Sequence, residues 1–208
     1  AITGWSQSLL DGAADTPDEQ QRAAQTIHDE AGRMARLVNE LLDLARLESG
    51  QLQMKMRPVD LSEIMADVYH SHVPQARAKS IDLELENPGP LMVHGDPDRL
   101  AQVFTNLADN ALAYTPTGGK VRLVTRANDG WAEGIVTDNG SGIPEKELPR
   151  VFERFYRLEK SRARSEDGRG AGLGLAIVHE LVTAHGGRIS VSSSLGLGTA
   201  FVVRLDAV

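Results

Sequence analysis

Cysteine is absent from the 208 residues, which removes disulfide frameworks, thiolate zinc sites, iron–sulfur clusters and cysteine nucleophiles. A reducing compartment is permitted by that absence and not required by it. No apolar run approaches the roughly 20 residues that span a bilayer, and no charged start leads into an apolar signal region. Basic residues are the minority, 22 against 29 acidic for a net charge of −7, which argues against a general nucleic-acid coat. Aromatic residues are scarce at 4%, so the run containing Phe152, Phe155 and Tyr156 stands out. What remains is globular chemistry, 25% charged and 41% hydrophobic, in a chain long enough for one or two domains with a buried core.

Glycine is scarce in one part of the chain only. Four of the 20 lie in the first 88 residues and sixteen in the other 120. The early part also lacks proline between Pro17 and Pro58 and is rich in Ala, Leu, Glu, Gln and Arg, all strong helix formers. Thr16, Pro17 and Glu19 form a capping box with proline at the first helical position. Ile27, Ala31, Met34, Val38, Leu41 and Ala45 then recur in steps of four and three, the seam of a coiled coil or antiparallel bundle. Leu37, Leu44 and Leu47 widen the stripe, favouring packing among several helices. Ile2, Trp5, Leu9 and Leu10 read as the end of a preceding helix, turned back at Asp11 and Gly12. This seam predicts an interface, and a plain dimerisation module accounts for it as well as any catalytic role.

After Pro58 the pattern is mixed. Asp60 with Glu63 opens a helix to about Lys79, and residues 81–86 alternate strictly as a half-buried strand. Residues 91–93 form another strand, and a helix follows Asp96 and Pro97 with Leu100, Val103, Phe104, Leu107 and Leu112 on its apolar side. Four more strands are expected at 121–126, 133–138, 188–193 and 199–205. A helix over 173–185 ends at Gly186 and Gly187. The elements do not alternate as βαβ units, so an α+β sandwich is expected.

Asn106, Asn110 and Tyr114 share one face of the helix after Asp96. Two amides on an otherwise apolar helix call for a polar neighbour, either a loop to cap or Mg²⁺ beside phosphates. Asp138, Asn139, Gly140, Ser141, Gly142 and Ile143 follow a strand directly. The carboxylate can accept hydrogen bonds and the glycines let a flat ligand approach, though an ordinary turn has the same composition. Gly168, Gly170, Gly172 and Gly174 alternate just before an apolar helix, where backbone N–H groups can cradle phosphates. No Walker A lysine follows them. Between the two glycine clusters, residues 154–169 carry six basic side chains against three acidic, suited to a lid over polyphosphate or to a solvated loop.

Together these residues resemble the sensor histidine kinases of two-component systems. Asn106-Leu-Ala-Asp-Asn110 resembles their N box, Asp138 to Ile143 the G1 box, Phe152-Glu-Arg-Phe-Tyr-Arg157 the F box and Gly170-Ala-Gly-Leu-Gly174 the G2 box. Asp96, Arg99, Leu100, Gln102, Val103, Ala184 to Gly187 and Gly196 to Thr199 are supporting matches. The resemblance implies a helical hairpin over 1–57 that forms a dimeric four-helix bundle, followed over 58–208 by a catalytic ATP-binding domain of the GHKL, or Bergerat, type.

The cofactors implied are ATP and Mg²⁺. By similarity Asp138 accepts from the adenine amino group, with Thr199 and the Gly142 backbone at the same end and Gly140 beside them. Tyr114 and Ile143 pack on the ring. Asn110, with Asn106, holds the metal, and Arg157 neutralises phosphate. Gly170, Gly172, Leu173 and Gly174 hinge the lid and offer N–H groups. The implied reaction transfers the γ-phosphoryl group to a histidine and then to an aspartate in the receiver domain of a response regulator. The implied setting is the cytoplasmic portion of a membrane-bound sensor, as a homodimer.

Two departures qualify the resemblance, and one further position separates it from the related ATPases. Ala113 stands where the family often has lysine. Ala1-Ile-Thr-Gly4 resembles the family's residues just after the acceptor-histidine run, which by that alignment puts the histidine about eight residues before Ala1; the sequence thus reads as a core that starts after its own acceptor. Gln102 stands where GHKL ATPases carry the glutamate that activates water, which disfavours hydrolysis, while a degenerate kinase acting as a dimeric scaffold is the non-enzymatic alternative. Of the histidines present, His28 lies beside the seam, His70 and His72 read as exposed helix, His94 as a strand end, His179 as helix surface and His185 as a structural cap.

Overall fold

A computed structural model describes residues 2–48, 53–157 and 172–208. The chain forms two compact units, Ala1–Ala45 and Arg46–Val208. Among the described residues no helix is long and apolar enough to cross a membrane.

The first unit consists of α1 (Ile2–Leu10) and most of α2 (Pro17–Glu48). The helix start follows its sequence signal. The Glu19 N–H donates to Thr16 Oγ1 at 3.3 Å and the Thr16 N–H to Glu19 Oε2 at 3.4 Å, satisfying two end groups reciprocally. The Thr16 bonds hold the Glu19 carboxyl below its usual range. Along α2, Ile27 is half-buried, whereas Met34, Val38 and Leu41 are 54%, 54% and 44% exposed.

In the second unit the elements run β1 (Arg57–Asp60), α3 (Leu61–Ala78), β2 (Asp82–Glu86), β3 (Met92–Gly95), α4 (Pro97–Tyr114), β4 (Lys120–Asn128), β5 (Trp131–Asp138), a 3-10 turn (Glu145–Arg150), α5 (Gly174–Ala184), β6 (Arg188–Ser194) and β7 (Gly198–Asp206). The main sheet has the order β2-β4-β5-β7-β6, with β2 parallel to β4 and the other pairs antiparallel. This mixed sheet with its helical layer is the α+β sandwich expected. Arg57–Asp60, too short to be read from sequence, pairs with β3 in a separate antiparallel ribbon.

Side-chain alternation decides which sheet face is covered. Val121 and Leu123 of β4, Ala132 and Val136 of β5, and Phe201, Val203 and Leu205 of β7 are buried on the helix side. Gly134 belongs to the same face, where a Cβ would collide with the Phe104 ring, so its missing side chain lets α4 press onto the sheet. The β4–β5 hairpin turns on Asp129 (φ 49°) and Gly130 (φ 81°), the backbone sign that two-residue turns of this hand require.

Caps fix α3, α4 and α5. Asp60 accepts from the Ser62 N–H at 2.9 Å, and Asp96 accepts from Asp98 and Arg99 at 3.1 and 3.2 Å. His185 ends α5: its Nδ1 donates to Leu181 O at 2.7 Å and its Nε2 accepts the Asp96 N–H at 3.0 Å. The cap expected there therefore also ties the end of α5 to the start of α4. His72 corrects an expectation. It is 5% exposed, with Nδ1 donating to Val68 O at 2.7 Å and Nε2 facing Asp109 at 3.4 Å, so it packs between α3 and α4.

Candidate nucleotide site

Three strands bring a polar row to one end of the sheet. The register sets Asp138 opposite Thr199 and Thr199 opposite Ser193, so the three side chains stand side by side on the helix-covered face. Asp138 is half-buried, and burial pushes its carboxyl up despite hydrogen bonds from the Gly140 and Thr199 backbones. Its Oδ1 accepts the Gly140 N–H at 2.8 Å. Thr199 is 8% exposed.

The loop after β5 is bound closely to this row. The Ser141 N–H donates to Tyr114 O at 3.2 Å, joining the loop to the end of α4, and the Gly196 N–H donates to Ser141 O at 2.8 Å. The Ile143 N–H donates to Ser193 Oγ at 2.8 Å. Such contact leaves no room for a side chain at either glycine. A Cβ on Gly140 would collide with Tyr114 O, and one on Gly142 (φ 65°) with Ser194 O.

Helix α4 supplies the neighbouring wall. Asn106 and Asn110 are half-buried and Tyr114 is 45% exposed, one turn apart on a single face. Asn106 Nδ2 donates to Gly174 O at 3.5 Å, bringing the first residue of α5 beside that face. Among the described residues no side chain caps the start of α5, and its first turn holds no acid, so its leading N–H groups suit an anion. One Asn106 amide proton is directed at Gly174, and the amide oxygen is the hard ligand this side chain can offer. Among the described residues no cluster of three or more His, Cys, Asp or Glu could hold a metal. Two amide oxygens beside phosphates suit Mg²⁺, which keeps most of its shell as water and phosphate oxygen.

Beyond the 3-10 turn the F-box segment is anchored at several points. Phe152 lies 5.6 Å from the His179 ring and 6.3 Å from Phe201 between ring centroids. The Tyr156 hydroxyl donates to the Glu147 carboxylate, and the Arg150 guanidinium lies 4.5 Å over the Tyr156 ring. The Phe155 N–H donates to Gly172 O at 2.9 Å, and a Cβ on Gly172 (φ 76°) would come within 2.8 Å of Tyr156 O. Residues 155 and 172 are thus held together. Phe152 and Tyr156 are half-buried, as their cost in water suggested, but Phe155 is 59% exposed.

The row and its loop bring together Asp138, Gly140, Gly142, Ile143 and Thr199, with Tyr114 joined to them through its carbonyl. Asn106 and Gly174 meet across α4 and α5. Leu173 is 1% exposed, so its side chain belongs to the core and only its backbone is offered to a ligand. Arg157 is half-buried, and Gly170 lies outside the described residues. Sequence reasoning missed Ser193. Its signal was available: in β6 it continues the alternation of Ile189 and Val191, a hydroxyl at an inward position.

Residues 95–208 match the family model described as "Histidine kinase-, DNA gyrase B-, and HSP90-like ATPase". Residues 1–50 match that of the "His Kinase A (phospho-acceptor) domain". Sensor protein SrrB of Staphylococcus aureus is 33% identical over 204 residues, covering 98% of this chain and 35% of that protein. The chain therefore spans about a third of the length of that relative. Among solved structures, full-length ShkA in complex with AMPPNP is 30% identical with a TM-score of 0.78, over 92% of this chain and 39% of that one. The mycobacterial sensor histidine kinase MprB is 35% identical with a TM-score of 0.62, over 73% and 97% respectively.

Proposed function

The chain belongs to the sensor histidine kinases, and from that premise we propose that residues 58–208 bind Mg-ATP for phosphoryl transfer while residues 1–57 form the dimerisation hairpin. The observation that carries this reading is the polar row of Asp138 and Thr199 beside a loop whose Gly140 and Gly142 positions admit no side chain. Its counterpart is the uncapped start of α5 against the asparagine face of α4. The first end suits a flat base with an amino donor, the second a polyphosphate.

Asp138 accepts from the base, with Thr199 and the Gly142 backbone at the same end. Ile143 and Tyr114 flank the ring. Asn110 and Asn106 offer amide oxygens to Mg²⁺, which neutralises phosphate charge when bound. The leading N–H groups of α5, the Gly170 to Gly174 run and Arg157 meet the phosphates. In the reaction an imidazole nitrogen of the acceptor histidine forms a bond to the γ-phosphorus as its bond to the β–γ bridging oxygen breaks. ADP leaves, and the phosphoryl group passes on to a receiver-domain aspartate. Catalysis of this kind is mostly positioning and electrostatics. The whole protein would work as a homodimer on the cytoplasmic side of a membrane.

ATP hydrolysis is the weaker reading for a specific reason. Gln102 is no general base, and its Oε1 accepts from Arg99 Nη1 at 2.8 Å on its own helix. The test is calorimetric titration of the chain with ATP, with and without Mg²⁺. Saturable, Mg-dependent binding is expected; its absence would leave only a dimeric scaffold.

A further inference from the structure

The hydroxyl proton of Ser193 is already committed. A carbonyl oxygen can only accept, so the 2.7 Å contact between Ser193 Oγ and Gly198 O uses that proton. Ser193 Oγ also accepts the Ile143 N–H at 2.8 Å and lies 3.0 Å from Thr199 Oγ1. With the serine proton used, the only proton available for this last contact is that of Thr199. Thr199 thus donates toward Ser193 and turns only lone pairs to its other neighbours. Beside it, the Asp138 carboxylate is acceptor-only as well, with Oδ1 already taking the Gly140 N–H.

We propose that Ser193 is a specificity-determining positioning residue: by drawing the Thr199 proton away from the site, it makes the base-recognising end uniformly accepting. A base with an exocyclic amino group then meets two acceptors, whereas one with a carbonyl at that place meets lone pair against lone pair. A bridging water gives the same result. It donates both its protons to Asp138 and Thr199, and its own oxygen faces the ligand as an acceptor. Without the Ser193 oxygen the Thr199 hydroxyl rotates freely and can donate to a carbonyl. A site built around buried polar groups rejects a mismatched ligand because some of those groups are left unpaired, so relaxing one of them relaxes the rejection.

This inference rests on the nucleotide reading above, and the experiment separates the two. Titrate the chain with Mg-ATP and with Mg-inosine triphosphate, which replaces the amino group by a carbonyl. The wild type is expected to prefer ATP. Ser193→Ala is expected to lower the ATP-to-inosine preference about three- to tenfold, chiefly by improving inosine triphosphate binding, while ATP binding falls by no more than about threefold. Ser193→Thr, which keeps the hydroxyl, should restore the preference. Thr199→Val should reduce it to a similar extent, and the double variant should add nothing further, a coupling that a merely structural serine would not produce. Should Ser193→Ala fail to fold by circular dichroism, Ser193→Gly removes the same hydroxyl and carries the same expectation. A wild type that binds both nucleotides equally, or a preference unmoved in folded variants, overturns the role of Ser193. A wild type that binds neither overturns the nucleotide reading itself.

Discussion

Glu133 lies on the sheet face opposite the helices, yet its side chain is fully covered. Burial pushes its carboxyl up, but Arg204 and Arg126, each donating through Nε at 2.7 Å, and Asn128 at 3.2 Å outweigh that and bring it to about 2. A carboxyl whose folded value lies below its ordinary 4.5 contributes stability that is present above pH 4.5 and is lost as the pH falls toward 2. The shift corresponds to at most ~3 kcal/mol, less screening at the half-exposed arginines. Glu133→Gln should therefore unfold about 1–2 kcal/mol more easily in urea at pH 7, and the gap should narrow near pH 2. Asp138 differs because its carboxylate faces the proposed base. Asp138→Asn presents an amide that can turn its donors outward, and Mg-ATP affinity should fall about tenfold or more by calorimetry, with the fold intact. Asp138 could be read from sequence because a carboxylate and two glycines directly follow a strand. Glu133 could not, since only the register reveals that Arg126 and Arg204 flank it.

Elements with strong ends were legible. Thr16, Asp60, Asp96 and the Gly186–Gly187 stop mark helix limits through local chemistry, and each has its mark in the structure. The ribbon of β1 and β3 was half missed, because four residues including Pro58 carry no period and gain their structure from a distant partner, as in the pairing of Arg57 with Gly95 and Val59 with Val93. His72 was misread for a different reason. It falls four residues after Val68 and four before Ala76, both buried, so its position is inward although its polarity suggests the surface. The hydrogen bond to Asp109, with help from Val68 O, raises its pKa against burial. A raised value contributes stability that is fully present below the ordinary 6.5 and is lost as the pH rises through the folded value. Asp109→Asn should cost roughly 0.5–1 kcal/mol at about pH 5.5 and less at about pH 8.5 in paired denaturation curves. The loop after β5 gives a sharper test of an element. Gly142→Ala places a methyl against Ser194 O in a backbone region that favours glycine, and should destabilise the second unit by about 1–3 kcal/mol while abolishing Mg-ATP binding.

At the scale of the whole molecule, the two units expose different surfaces. The second unit encloses a core between sheet and helices and exposes large apolar side chains at scattered loop and terminal positions such as Phe155, Leu195 and Leu197, whereas α2 leaves Met34, Val38 and Leu41 about half exposed along one seam. A lone helix face of this kind gains little by staying in water, since each large apolar side chain buried is worth roughly 1.5–3 kcal/mol. A second copy of the chain would bring the same stripe, and seams in steps of four and three pack as bundles. Dimerisation should then depend on α2, and nucleotide binding on the second unit. Replacing Val38 and Leu41 together by Lys puts two charges into the seam, and light scattering after size exclusion should shift from dimer to monomer mass at micromolar concentration. Titration of the same variant with Mg-ATP should give a Kd within about twofold of the wild type, because neither residue belongs to the compact unit that carries the polar row. An unchanged dimer mass would move the interface elsewhere on the chain, and a parallel loss of nucleotide binding would mean that the two units do not work independently.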